Sequence, residues 1–263
     1  MTSTPSIRVE MDAGLATVSL AQAARGNPID EDFTRDFKRV IFDLWDAPGL
    51  RAVLLRADGA NFCFGGDLKK FVPELADLAP LVRRWTGDLH MGLQRAWQLP
   101  VPIVVAVQGW AMGGGAALLA GCDVVLAGQS ARIGSAFAQL GFSCDSGSSV
   151  TLSARMGAAR ARRFVMLAEV LASTEAQIAG LIDIVVPDDR LQDEALALAR
   201  KLAAGPTLAY GEIKRLFLCA GAAQLAAQLE DEALTLARVS ATADAREGIA
   251  AAVERRKPVF RGA

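Results

Sequence analysis

Two glycine-rich turns, one acid in a loop of small residues and a single histidine are the features of this 263-residue chain whose types and spacing could do chemistry. The first turn, Asn61-Phe62-Cys63-Phe64-Gly65-Gly66-Asp67-Leu68, follows an apolar run at 52–56; the second, Gly109-Trp110-Ala111-Met112-Gly113-Gly114-Gly115, follows one at 103–107. Missing side chains let main-chain N–H groups approach a ligand closely. A helix N-terminus beyond each turn would add partial positive charge, which suits both turns to hold a developing negative charge. Neither has the spacing of a dinucleotide fingerprint or a P-loop, and glycines needed only for turns and close helix packing would leave the same trace. Asp145, in the run 141–147, is a carboxyl able to carry a proton; with Ser146 it also stands where an N-cap would precede a helical run from Ser149. His90 is the one side chain suited to general-base work near neutral pH, or else a hydrogen-bonded residue on the inner face of a helix. Cys144, beside Asp145, reads better as a small buried residue than as a thiol nucleophile, and Asp67 as a holder of its own loop.

The elements that must position these groups alternate. Val-, Ile- and Leu-rich runs at 6–11, 16–20, 52–56, 103–107, 123–127 and 183–186 read as buried strands. Between them, 30–46 places Phe33, Phe37, Val40, Ile41 and Leu44 at helical spacing before Pro48-Gly49, and 78–99 repeats the pattern before Pro100. The order predicts an α/β fold. After about Ser149 the balance tips toward helix, with runs at 191–202, 207–218 and 222–239. They would cover the sheet or pack on a neighbouring subunit.

Composition narrows the function classes. Hydrophobic residues make up 52% of the chain, and at this length a core forms without disulfides or structural metal. Lys+Arg 28 against Asp+Glu 29 leaves a net charge of -1, with no basic field to hold nucleic acid. Cys63, Cys122, Cys144 and Cys219 make no CxxC pair and fit reduced thiols in a cytoplasm. One histidine leaves no His-based metal site. The charge-free stretch 96–122 is long enough to cross a bilayer, but Pro100, Pro102 and the glycines divide it into strand, turn and helix. No membrane segment is expected, and residues 1–10 carry no secretory pattern.

Taken in order, the motifs are similar to those of the crotonase superfamily, the enoyl-CoA hydratases and isomerases. Phe62-Cys63-Phe64-Gly65-Gly66-Asp67-Leu68 resembles its F-C-x-G-x-D-L segment. The stretch from Pro102 to Gly115, followed by Cys122-Asp123, resembles its second signature; Ala131-Arg132-Ile133-Gly134, 141–147 and the tail Arg255-Arg256-Lys257-Pro258-Val259-Phe260 follow suit. The resemblance implies a spiral of ββα turns over 1–195 and a helical oligomerisation region over 196–263, giving homotrimers or dimers of trimers. It also implies an acyl-CoA substrate, with coenzyme A entering as part of that substrate and no metal or redox cofactor. The thioester oxygen would be held by the main-chain N–H groups of Gly66 and Gly114. An enolate is stabilised by such fixed donors, each worth about 3 to 4 kcal/mol.

The chain departs from the family where hydratases carry two glutamates: Ala117 and Phe137 stand there. Asp145 matches the aspartate of dienoyl-CoA isomerases, ring-opening epoxyphenylacetyl-CoA isomerases and 4-chlorobenzoyl-CoA dehalogenases. His90 falls near the dehalogenases' histidine, although those enzymes have tryptophan where this chain has Phe137. The resemblance therefore implies isomerase-type proton transfer in fatty or aromatic acid breakdown, with Asp145 as proton carrier and His90 assisting. The alternatives are a dehalogenase-like hydrolase using Asp145 and His90, and a non-catalytic acyl-CoA binder. For substrate contacts it points to Phe64, Asp67, Leu68, Phe137 and Phe142, with 71–85 over the acyl pocket. Arg25, Lys69, Arg256 and Lys257 are the cations expected to meet CoA phosphates. Arg25 lies in Arg25-Gly26-Asn27-Pro28 where the family usually has Arg-Asn-Ala, which shifts its place.

Overall fold

The computed structural model describes residues 5–221 and 225–262. Residues 222–224 of the helix expected at 222–239, and residues 1–4 and 263 of the two expected regions, lie outside the described residues. Nine strands lie among those described: β1 (Ile7–Asp12), β2 (Leu15–Leu20), β3 (Ala52–Ala57), β4 (Ile103–Val107), β5 (Trp110–Met112), β6 (Val124–Gly128), β7 (Arg132–Gly134), β8 (Val170–Ala172) and β9 (Ile184–Val186). Seven helices precede the C-terminal part: α1 (Glu31–Trp45), α2 (Leu68–Phe71), α3 (Leu78–Gln98), α4 (Gly114–Ala120), α5 (Ser148–Met156), α6 (Ala158–Met166) and α7 (Ser173–Ile178). Then come α8 (Leu191–Ala203), α9 (Thr207–Gly221), α10 (Leu225–Ser240) and α11 (Ala243–Glu254).

The larger sheet runs β1-β2-β3-β4-β6-β9, parallel except for the β1–β2 hairpin. Its inner strands β2, β3, β4 and β6 are buried on both faces, and the two-residue period sorts their side chains. Leu15, Leu54, Val104, Ala106 and Leu126 face Leu191, Ala195 and Ala199 of α8. Val18, Val53, Leu55, Val105 and Val125 face the main core shared with α1, α3 and α5. The helix expected at 30–46 starts where Asp30 accepts the Phe33 N–H at 3.0 Å. Every strand expected from the sequence is present within about a residue. The smaller sheet, β5-β7-β8, was not expected: at three residues a strand is too short to show a period. Among the described residues no helix is long and apolar enough to cross a membrane.

That smaller sheet sets the site. Leaving β3, the chain pairs with the segment leaving β4: Phe62 N–H donates to the Gln108 carbonyl at 2.9 Å, Cys63 N–H to Trp110 at 3.1 Å, and Met112 N–H to Cys63 at 2.9 Å. This short ladder lays the two glycine turns side by side. Gly65 is at φ +76° with its α-carbon against the second turn, so a β-carbon there would lie 2.7 Å from the Met112 carbonyl oxygen and 3.4 Å from the Gly114 nitrogen. Only glycine fits such a position. Gly65→Ala is expected to lower stability by more than about 1 kcal/mol, read as the urea midpoint at unchanged slope; an unchanged midpoint would mean that the turns are not held this tightly.

Candidate active site

A cavity of about 760 Å³ opens beside the paired turns, and Gly65, Gly66, Met112, Gly113 and Gly114 form one wall of it. Gly114 is the first residue of α4, so its N–H has no partner within the helix. The Gly66 N–H is likewise left over at the single bridge to Ile29, where Ile29 N–H and Asp67 N–H make the two hydrogen bonds. Two glycines on adjacent turns, each with an amide that makes no main-chain hydrogen bond, thus line one cavity.

Asp145 lines the same cavity and is buried. It arrives in a loop whose next residue, Ser146, sits at φ +61°, a left-handed conformation that disfavours a residue with a β-carbon. The Ser146 hydroxyl donates to Asp145 Oδ2 at 3.3 Å and lies 3.2 Å from where a Gly114 β-carbon would be. The acid therefore abuts the second glycine turn. Its other oxygen, Oδ1, accepts from His90 Nε2 at 2.7 Å.

His90 lies on the buried stripe of α3 with Val82, Trp85, Thr86, Leu89, Leu93 and Trp97, at the three- and four-residue spacing of one helix face. It stands behind Asp145 and does not line the cavity. Burial, the largest influence on its pKa, disfavours the imidazolium, but the Asp145 hydrogen bond and charge, the Glu232 charge and the Leu229 main-chain carbonyl outweigh it, so the pKa is raised above 6.5.

Glu232 completes the cluster, and the sequence reading missed it. It projects from α10 into the core, 4% exposed, and takes the Gly147 N–H at 2.6 Å and the Ser149 N–H at 2.9 Å. Those are amides at the start of α5, so Glu232 does the capping that the sequence offered to Asp145. The N-cap of α5 is Gly147, and Asp145 contributes only its main-chain carbonyl there. Burial first, and the Asp145 charge, raise the Glu232 pKa against the lowering effect of its bonds to Ser149 and Gly147. A signal was legible: Glu232 falls three residues after Leu229 and four before Leu236, on the apolar stripe of its helix. The ligating atoms of His90, Asp145 and Glu232 lie within 4.8 Å of one another. The Glu232 carboxylate is occupied by main-chain amides, so the cluster is arranged to hold protons.

The other expected residues divide. Phe64, Leu68, Phe137, Phe142 and Lys257 line the cavity. Lys257 is exposed at its mouth on a tail tied down by Glu247, which bonds Arg256 and the Val259 N–H and is held at a pKa of about 2 by those contacts. Arg25, Lys69 and Asp67 do not line it. Arg25 is engaged by Asp30 and Asp67, and Asp67 accepts the Lys69 N–H to cap α2, the loop-holding role expected of it. As the substituted motif around Arg25 forewarned, its charge is turned to its own loop. Ala117 is fully buried inside α4, and Phe137 is on the cavity wall. Burial first, then the Glu232 and Asp145 charges, push the Cys144 thiol up to about 11, a setting that disfavours the thiolate a nucleophile needs.

Two outcomes test the cluster. A raised histidine pKa gives stability that is complete below 6.5 and lost as pH rises through the elevated value. His90→Gln should therefore abolish the fall in urea stability above pH 6.5, and parallel pH profiles would disprove the pairing. Glu232→Ala leaves two amides unpaired and is expected to cost about 2 kcal/mol or more, read by the same titration.

Known proteins share this architecture and order of motifs. The family model described as enoyl-CoA hydratase/isomerase matches residues 10–263. A probable enoyl-CoA hydratase of Rhodobacter capsulatus is 34% identical over 258 residues, covering 98% of each chain. The 1,2-epoxyphenylacetyl-CoA isomerase of Escherichia coli is 33% identical over 256 residues, covering 96% of this chain and 97% of that one. Among solved structures, an enoyl-CoA hydratase/isomerase from Pseudoalteromonas atlantica superposes with a TM-score of 0.87 at 28% identity, covering 97% of this chain and 100% of that one. With its paired glycine turns, α/β core and helical C-terminal part in that shared order, the chain belongs to the enoyl-CoA hydratase/isomerase family.

Proposed function

We propose that this protein moves a proton between two carbons of an acyl-CoA thioester, an isomerase-type reaction with Asp145 as the carrier. The observation that supports it is that, among the described residues, Asp145 is the one carboxyl lining the cavity, beside the turn that offers the Gly114 amide. The Asp145 carboxylate takes a proton from the carbon next to the thioester carbonyl of a 3-enoyl ester. The electron pair passes into the carbonyl, and the dienolate oxygen is held by the Gly66 and Gly114 N–H groups. The same carboxyl returns the proton to the far carbon of the former double bond, so the double bond migrates and no water is added. His90, protonated and bonded to Oδ1, keeps the carboxyl oriented.

Asp145→Asn should lower turnover by about 10² to 10⁴ while leaving affinity for the CoA ester within a few-fold. In heavy water the wild type should shift 3-enoyl-CoA to 2-enoyl-CoA with partial deuterium uptake and no gain of water, followed by mass. Hydrated product would overturn the single-carrier mechanism. The contact of His90 with Asp145 favours one second reading, hydrolysis of a 4-halobenzoyl-CoA through an aspartyl ester, and release of halide would establish it. Binding of the whole panel without conversion would leave an acyl-CoA binder.

Assembly into trimers is part of the same proposal. Met166, Leu167 and Ile178 are 68%, 66% and 89% exposed, an unusual amount of large apolar surface to leave in water. Light scattering should give a mass of three or six chains; a monomer would overturn it.

A further inference from the structure

Three residues with a β-carbon on the cavity wall hold the left-handed backbone that favours glycine: Ala136 at φ +55°, Ser146 at +61° and Ala168 at +48°. Of these, Ser146 alone carries a functional group beyond that carbon. A serine that shapes a turn bonds the main chain around it, and this one does not: among the described residues its hydroxyl makes one hydrogen bond, to Asp145 Oδ2 at 3.3 Å. The loop is secured by other groups. Glu232 takes the Gly147 N–H at 2.6 Å, and the Asp145 carbonyl takes the Ser148 N–H at 3.1 Å together with the Ser148 hydroxyl. Strained backbone is thus kept at a residue whose side chain serves the acid and not the loop.

The two oxygens of Asp145 have different surroundings. Oδ1 accepts from His90, which stands behind the acid and does not line the cavity. Oδ2 is left for the cavity, and its partner Ser146 lines that cavity beside Asp145. A proton carrier is a carboxylate before it takes the proton and a carboxylic acid until it gives the proton back, so a neighbour fit for both states must donate to the first and accept from the second. A main-chain N–H only donates, whereas a hydroxyl turns about its C–O bond and does both. The Ser146 hydroxyl oxygen also lies 3.2 Å from where a Gly114 β-carbon would be, which holds Oδ2 on the side of the Gly114 amide. We propose that Ser146 is a positioning residue of the proton transfer: its hydroxyl fixes Oδ2 as the oxygen that takes and returns the proton, and it stays bonded to that oxygen in both charge states. This rests on Asp145 being the carrier.

Steady-state kinetics of the shift from 3-enoyl-CoA to 2-enoyl-CoA, with urea unfolding of the same variants, separate this role from a structural one. Ser146→Gly removes the hydroxyl and relieves the backbone. It should lower kcat about tenfold or more with KM changed less than about threefold, at a urea midpoint equal to or above that of the wild type. Ser146→Ala should lose kcat to the same extent. Ser146→Thr brings the hydroxyl back at some cost in midpoint, since a β-branched residue is disfavoured at positive φ, and should recover most of the lost kcat; where threonine does not fold, the glycine and alanine variants decide. Wild-type kcat in both of those, with Asp145→Asn still slow, overturns the role of the hydroxyl and leaves Asp145 as the carrier. A loss of kcat in Ser146→Gly that comes with a lowered urea midpoint overturns it too, because the serine then supports the loop. If the wild type moves no double bond, or Asp145→Asn turns over as fast as the wild type, both readings fall.

Discussion

Everything at this site depends on a buried contact between His90 and Asp145. A carboxylate taken out of water is costly unless it is paired and hydrogen-bonded, and Asp145 lies beneath a cavity wall made mostly of apolar side chains. The His90 ring 2.7 Å away supplies the hydrogen bond. With Glu232 so close, two carboxylates would repel each other, and each favours the charged form of the ring between them. Burial is the largest influence on both groups: it raises the Glu232 pKa together with the Asp145 charge, while on His90 the contacts with Asp145 and the Glu232 charge outweigh it. The Asp145 carboxyl is thereby held from behind by the ring as it faces the cavity.

The same contact ties distant parts of the chain into one device. His90 comes from α3, Asp145 from the loop before α5, and Glu232 from α10, on helices that pack across one another. Glu232 spans α10 and the start of α5 through two main-chain amides, which fixes the loop that carries Asp145. Moving α10 would move the cap, then the acid, then its distance from Gly114. The helical C-terminal part thus has a hand in the chemistry as well as closing the cavity with Leu236 and Arg256.

How far the sequence could be read follows from where the information resides. The strands of the large sheet were legible because burial on both faces leaves continuous Val and Ile runs, and α1 because its stripe and its Asp30 cap coincide. β5, β7 and β8 were not, since three residues carry no period and their pairing is fixed by partners distant in sequence. Of the residues singled out in the sequence, Gly66, Gly114 and Asp145 come together on one cavity and His90 contacts Asp145, the first two legible by local motif and the last two by being chemically singular. Glu232 was not, because its role exists only in three dimensions: a cap supplied from 83 or more residues away leaves no pattern near Gly147 or Ser149. The reading of Asp145 as a cap failed for the same reason, as the nearer acid had been displaced by a distant one. The pairing of Arg25 with Asp30 and Asp67 was not legible, because these partners meet only after folding.

At the two positions where the resemblance places hydratase glutamates the chain has Ala117, a methyl buried in α4, and Phe137, a phenyl on the cavity wall, and neither side chain can move a proton. Among the described residues Asp145 is the one carboxyl that lines the cavity, so no second acid there competes for a proton. Electrostatic stabilisation of the enolate by fixed amides does not depend on which acid moves the proton. The two glycine turns place no constraint on where that acid stands, so one scaffold can carry its acids at different places around the same pair of amides. In this chain the acid beside the second turn is Asp145, and Phe137 stands on the cavity wall.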